Sequence, residues 1–240
     1  MTPLPWLAID TSADQASVAV GSAGVLLAQE IVRGVRRHAV ELIPATERVL
    51  QAAQVSLGRI HGILVTDGPG SFTGLRIGAT VAKGLAYTGG IPVRAASALL
   101  VMARGGWRSQ PKASARRVLA VSDALRGEWY AALYDIAETG ISVLRTPTVV
   151  RPEMLADWPA PDLLVSELDI PGKSGLERVT GEAAQPRAAM LLDLVGLAGA
   201  TKEIEDLGTW EPEYGRPAEA QVRWEAQHGR RLPDSAGTPR

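Results

Sequence analysis

A short apolar run that ends in an aspartate occurs twice in this chain, and each time a similar succession of segments follows. Trp6 to Thr11 runs into Asp10-Thr11-Ser12, and Val118 to Asp123 ends on its own aspartate. After the first run, Ala16 to Gly21 and Val25 to Val32 read as further strands, joined by tight turns at Ala13-Asp14 and Ser22-Ala23-Gly24. A helix is predicted from His38 to Ala53, where Leu42, Ile43, Val49, Leu50 and Ala53 recur near the 3.6-residue period. Pro44 bends that helix or limits its first turn. Gly62 to Asp67 reads as a buried strand, Thr73 to Tyr87 as a helix, Ile91 to Ala95 as a strand and Ser97 to Arg104 as a helix. After the second run, Trp129 to Tyr134 and Ile141 to Val150 read as strands and Pro152 to Trp158 as a short helix. Leu163 to Ser166 follows as a strand and Arg187 to Leu197 as a helix.

Two β-β-β-α-β-α units of this kind predict an α/β protein of two tandem RNase H-like lobes. That architecture is shared by actin, sugar kinases and the heat-shock chaperone ATPases. The polar, Gly-rich stretch from Gly105 to Arg116 suits a lobe boundary. The expected division is therefore residues 1–104, residues 105–225 and a flexible tail over 226–240, where Gly, Pro and charge mix without periodicity. In such a pair of lobes the first hairpins present their turns to a cleft, where Asp10 and Asp123 can face a nucleotide's phosphates and metal. Two unrelated α/β lobes, with aspartates at ordinary strand ends, remain the alternative.

Composition narrows the chemistry. The 240 residues are 46% hydrophobic and 21% charged, ordinary values for a globular protein able to bury a core. With 25 basic and 26 acidic residues the net charge is -1, so no overall basic field draws nucleic acid by counterion release. The absence of cysteine excludes disulfides, thiolate zinc sites and cysteine nucleophiles. No apolar run reaches the length of a membrane span, and Met1 to Ile9 lacks the basic start of a signal peptide. A cytoplasmic protein is the expectation.

The sharpest local feature is Gly68-Pro69-Gly70-Ser71-Phe72-Thr73-Gly74-Leu75-Arg76-Ile77-Gly78, set between a strand and a helix. Its glycines allow close backbone approach, Ser71 or Thr73 can cap the helix, and successive amides at such a turn can form an anion-binding nest. It is neither a Walker A loop, since no Gly-Lys-Ser/Thr follows, nor the dinucleotide fingerprint.

This string resembles the signature of the TsaB (YeaZ) family. Leu7-Ala8-Ile9-Asp10-Thr11-Ser12 is similar to that family's opening strand, and His38 to Leu50 to its first helix. Ala82-Lys83-Gly84-Leu85-Ala86 continues its second helix. Asp123-Ala124-Leu125-Arg126-Gly127-Glu128-Trp129-Tyr130 resembles the hairpin opening its second lobe, and Pro212-Glu213-Tyr214-Gly215-Arg216-Pro217 its closing segment. The likeness is dense up to about Ser97 and sparse between Thr139 and Glu205. It implies a non-catalytic subunit that supports the paralogue TsaD in transferring threonylcarbamoyl to adenosine 37 of ANN-decoding tRNAs. The implied partners are TsaD, the ATPase TsaE and a second copy of the chain when alone, with tRNA met only within the complex and no membrane.

The same resemblance sets the site expectations. TsaD holds its metal with a histidine pair whose positions, counted from Pro92, are Ala98 and Met102 here, and neither is a ligand for a hard or borderline metal. His38, His61 and His228 have no second ligand in register, so no metal and no intrinsic cofactor is expected. Asp10, Thr11, Ser12 and Asp123 keep weak ATP or ADP binding with magnesium open, as a vestige. Glu167, where an actin-like ATPase carries a Gly-rich turn, would repel phosphates. An ATP-dependent small-molecule kinase or ATPase is the rival reading. For the partner contact the resemblance points to the two helices, and the stripe of Leu75, Gly78, Ala79, Ala82, Leu85 and Ala86, with Leu42 and Val49, is the expected interface. The same stripe facing its own sheet is the competing reading.

Overall fold

The computed structural model describes residues 4–22, 24–34, 37–110, 116–172, 175–217, 223–224 and 227–229. Its first sheet contains β1 (Trp6–Asp10), β2 (Ala16–Ser22), β3 (Val25–Val32), β4 (Gly62–Gly68), β5 (Val93–Ser97) and, far along the chain, β11 (Lys202–Glu203). The order is β11-β5-β4-β1-β2-β3. The second sheet contains β6 (Arg116–Asp123), β7 (Trp129–Ile136), β8 (Ile141–Val150), β9 (Leu163–Val165) and β10 (Glu177–Val179), in the order β10-β9-β6-β7-β8. Each sheet has an antiparallel three-strand meander whose first strand pairs in parallel with the fourth. The duplicated order read from the sequence is the observed topology.

The apolar runs around the two aspartates follow from burial on both faces. In β1, Leu7 and Ile9 pack beneath α1 (His38–Ala52) and α2 (Phe72–Gly89), while Trp6 and Ala8 point to the opposite core. β6 alternates likewise: Val118 and Ala120 join the central core, Leu119 and Val121 the outer core of the second sheet. Two more helices, α3 (Ala98–Arg108) and α4 (Ala188–Leu192), fill the space between the sheets. α3 leaves the first unit and packs mainly on β6 and β7, whereas α4 leaves the second and packs on β1 and β2.

That exchange corrects the expected lobe division. A cut after residue 104 falls inside α3, whose residues through Trp107 are buried. The central core joins Ala8 and Leu64 of one sheet to Val118, Ala132, Tyr134 and Val165 of the other. The chain also returns to the first sheet at β11, so residues 105–225 do not form a separate unit. The expected tail lies outside the described residues apart from 227–229.

The second unit is thinner than its sequence pattern suggests. Pro152 to Trp158 forms a 3-10 turn over Pro152–Asp157, and the helix expected from Arg187 to Leu197 stops at Leu192. A segment bounded by Pro152 and Pro159 is too short to recover the cost of nucleating an α-helix. Gly196 and Gly199 have φ of 85° and 73°, which a continuing helix does not allow. β10 and β11, three and two residues long, carry no period that a sequence reading could detect.

Candidate functional site

The ends of β1 and β6 and the turn after β4 converge on one side of a cleft between the lobes, a cavity of about 900 Å³. Its walls include Ser12, Ser71, Phe72, Asp123 and Tyr130.

Asp10 does not face this cavity. It is fully buried, and its Oδ1 accepts hydrogen bonds from Ser12 Oγ and Thr66 Oγ1 at 2.7 Å each, and from the Ser12 amide at 3.3 Å. Asp10 Oδ2 and the neighbouring Thr11 Oγ1 are buried with no partner among the described residues. Burial pushes the Asp10 carboxyl above the usual carboxylate range, against the hydrogen bonds from Ser12 and Thr66. Of the four expected nucleotide-binding residues, only Ser12 and Asp123 line the cleft. Asp123 is exposed, and its Oδ1 accepts from the Leu125 amide at 2.7 Å.

The signature loop packs on the chain leaving β1, and its residues Pro69 to Thr73 also line the cleft. The Ser71 amide donates to Ser12 O at 2.8 Å, and Ser71 Oγ caps α2 by accepting from the Gly74 amide at 3.2 Å. A Cβ on Gly70 or Gly74 would strike the carbonyls of Ser12 or Thr11, and one on Gly78 would strike Thr11 Oγ1. The small residues therefore let α2 lie directly on the chain leaving β1. Gly68, Pro69 and Thr73 complete the loop. A Cβ on Gly68 would strike Glu213 O, so this glycine serves the closing segment.

That closing segment straps the loop to both lobes. The Glu213 amide donates to Asp67 O at 2.6 Å, and Lys202 Nζ reaches Asp67 Oδ2 at 2.8 Å and Glu213 Oε1 at 2.6 Å. Burial raises the Asp67 carboxyl, with Lys202 opposing and Glu213 adding to the rise. Tyr214 packs on Phe72 with ring centroids 4.4 Å apart, and Tyr130 of the second lobe donates its hydroxyl hydrogen to Tyr214 O at 3.2 Å. Arg216 Nη2 donates to Glu128 at 3.0 Å. Three blocks quoted for the family likeness thus interlock at one point, a role that single-sequence reading did not assign.

The cleft itself is acidic. Asp14, Asp123, Glu128 and Glu167 line it, against Arg126 and Arg216. Such a surface opposes an anionic phosphate chain unless cations accompany it. Glu167 is also committed, accepting from the Gly181 amide at 2.5 Å. Ala98 and Met102 stand on the cleft wall, so the positions matched to the metal-binding histidines do face the cavity, with side chains that hold no hard metal. Among the described residues no group of three or more His, Cys, Asp or Glu could hold a metal ion.

The expected interface stripe is corrected by burial. Leu42, Val49, Leu75, Ala79, Ala82 and Ala86 are buried in the chain's own core and Gly78 is covered by Thr11, while Leu85 is half-buried against that core. The helices spend this stripe on their own sheet, as the competing reading had it. The opposite side of α1 and α2 is open. Val40, Ile43 and Tyr87 are 72%, 54% and 67% exposed. Thr73, Arg76, Thr80 and Gly84 continue the exposed line on α2. At Gly84 an added Cβ would meet no atom within 4 Å, so nothing among the described residues requires a glycine there. This mid-helix glycine was visible in the sequence as a residue that weakens α2.

Among the described residues no helix is long and apolar enough to cross a membrane. The protein family described as TsaD: tRNA N6-adenosine threonylcarbamoyltransferase matches residues 27–208. The chain is 32% identical to the tRNA threonylcarbamoyladenosine biosynthesis protein TsaB of Escherichia coli (strain K12), over 93% of this chain and 98% of that protein. It is 32% identical to the protein of the same description from Bacillus subtilis (strain 168), over 91% and 96%. Its fold is similar to that of YeaZ from Pseudomonas aeruginosa, with a TM-score of 0.71 at 30% identity, over 88% of this chain and 99% of the other.

Proposed function

The chain belongs to the family of the tRNA threonylcarbamoyladenosine biosynthesis protein TsaB, and on that premise we propose that it is a non-catalytic scaffold. In this reading it holds a TsaD-type catalytic relative in its working state, joins TsaE in the larger assembly, and pairs with itself when alone. It meets tRNA only within that assembly.

The observation that carries the reading is Gly84. Glycine in a helix interior costs about 1 kcal/mol relative to alanine. Packing within the chain gives no return for that cost, because the space outside Gly84 is open. A second helix laid against α2 does give one, since the missing Cβ lets two backbones approach closely. Exposed Val40, Ile43 and Tyr87 beside it supply apolar area for such a contact. The partner face in this reading is thus the outer side of α1 and α2, in place of the buried stripe. A scaffold role is further supported by the cleft, where Asp10 is turned away and carboxylates outnumber guanidinium groups.

Gly84→Leu tests it. Leucine is a better helix former, so the circular dichroism spectrum and unfolding midpoint are expected to hold or improve. Association with a TsaD partner, measured by co-purification and sedimentation, is expected to weaken about 10- to 100-fold, matching the ~1–3 kcal/mol that overpacking costs. Threonylcarbamoylation of tRNA in a reconstituted mixture should fall with it. Unchanged association would place the partner elsewhere on the molecule. The kinase or ATPase rival gains only if the chain alone turns over ATP at roughly 1 per second or more.

A further inference from the structure

Among the described residues, the exposed arginines of the two outer helices are Arg37 at the start of α1, Arg48 within it and Arg76 on α2. Two of them are neutralised within the chain. Arg37 pairs with Glu41 at 2.9 Å, and Arg48 with Glu30 and Glu41 at 2.6 and 3.3 Å. Arg76 forms no ion pair among the described residues. It is also the one charge on the outward line of α2, where its exposed neighbours are Thr73, Thr80, Gly84 and Tyr87. Lys83, the next cation along the helix, is turned instead to the closing segment and donates to Trp210 O at 2.5 Å.

Arg76 is nevertheless held in place. Its guanidinium carbon lies 5.5 Å from the centroid of the Phe72 ring, one turn earlier in α2. Phe72 is fixed by Tyr214, whose ring packs on it at 4.4 Å with the planes tilted by 40°. Tyr130 of the second lobe fixes Tyr214 through its carbonyl. The charge of Arg76 reaches Tyr214, where it opposes the rise of the hydroxyl to about 12 caused by burial and Glu211. A long side chain with many rotamers is thus given one direction before a partner arrives, which reduces the ordering that binding has to impose.

We propose that Arg76 is the charged anchor of the α2 face, that it recognises a carboxylate set in an otherwise apolar surface of the partner, and that Tyr214 and Phe72 position it for that contact. This rests on the reading of the outer side of α1 and α2 as the docking face. A guanidinium takes both oxygens of a carboxylate in one plane, so the pair fixes the register of the docked surfaces as well as their attraction. Exposed Val40, Ile43 and Tyr87 supply the apolar surround that excludes water when the faces close. The closing segment acquires a second role, since it orients a group on the outside of the first lobe through contacts that begin in the second.

The test mixes the full chain with a purified TsaD partner and follows the dissociation constant by titration calorimetry over a range of salt. Arg76→Gln should weaken association about tenfold and flatten its salt dependence, and Arg76→Glu should weaken it about a hundredfold. Arg76→Lys should recover part of the loss, because it restores the charge without the fork. Arg145→Gln is the matched control: it too removes an exposed arginine over an aromatic ring, 5.8 Å from Trp158 on the second lobe, and should change nothing. Tyr214→Ala, or Phe72→Leu should that protein not fold, should weaken association in the parent and add little in the Arg76→Gln background. Equal affinity and salt dependence for Arg76→Gln overturn the anchor, and additive losses in the double variant overturn the positioning by Tyr214. Gly84→Leu keeps this separate from the docking face itself. Loss with Gly84→Leu but not with Arg76→Gln sinks the anchor alone, and loss with neither sinks the face together with it.

Discussion

Asp10 is fully buried, with three donors on one carboxylate oxygen and none among the described residues on the other. Burial raises its pKa, so the folded state holds the proton more tightly than the unfolded chain does. The sign follows by linkage. Its stabilising contribution is full below the unfolded value near 3.8 and is lost as pH rises through the folded value. Asp10→Asn removes the titration, so the variant's stability should gain on the parent's steadily from about pH 4 upward. Urea midpoints of both proteins across that range read the effect. Parallel pH profiles would show that folding leaves the Asp10 pKa unshifted. An aspartate at a strand end read from sequence as a nucleotide ligand is here a polar pin between β1, Ser12 and Thr66.

At the scale of the element, α2 shows why a stripe of small residues is ambiguous. Ala79, Ala82 and Ala86 recur on one face, and small residues permit close approach equally to a sheet beneath or a helix outside. The contacts decide for the sheet: Ala82 is fully buried beside residues such as Ile9 and Ile63. Ala82→Glu should therefore unfold the protein, since an unpaired charge in that core costs about 3–5 kcal/mol of a total near 5–15. Far-ultraviolet circular dichroism and gel filtration check this. A folded, soluble Ala82→Glu protein that has merely lost its partner would return the stripe to the surface. The exposed line through Thr80, Gly84 and Tyr87 has the same spacing, and only its lack of neighbours sets it apart.

At the scale of the whole molecule, the exchange of α3 and α4 makes two sequence units into one cooperative body. Arg104 is buried in α3, donating to Asp193 at 2.5 Å and to Ala137 O at 2.7 Å, with its guanidinium 4.4 Å from the Trp107 ring centroid. Asp193, just past α4, also receives Arg108 at 2.9 Å. Asp193→Ala leaves a buried guanidinium without its counter-charge, and the expected loss is about 3–5 kcal/mol. Because the central core is common to both sheets, the loss should appear as one transition. Tryptophan fluorescence and circular dichroism should shift together in urea. Two separated transitions would mean that the lobes unfold independently.

Much of the fold was legible because its signals are local. The doubled order of strands, the aspartates closing β1 and β6, the cap at Ser71 and the helices at His38 and Phe72 each follow from period, burial on two faces or capping chemistry within a few residues. The family likeness of the loop at Gly68 to Gly78 was likewise carried by consecutive residues. What only the tertiary structure decided depends on contacts between segments far apart in the chain. The loop's glycines leave room for Ser12, Thr11 and Glu213. Asp10 points into the protein and not the cleft, and Phe72, Tyr214 and Tyr130 meet at one point. Periodicity states that a helix has two faces; which of them is covered depends on what the rest of the chain lays against it.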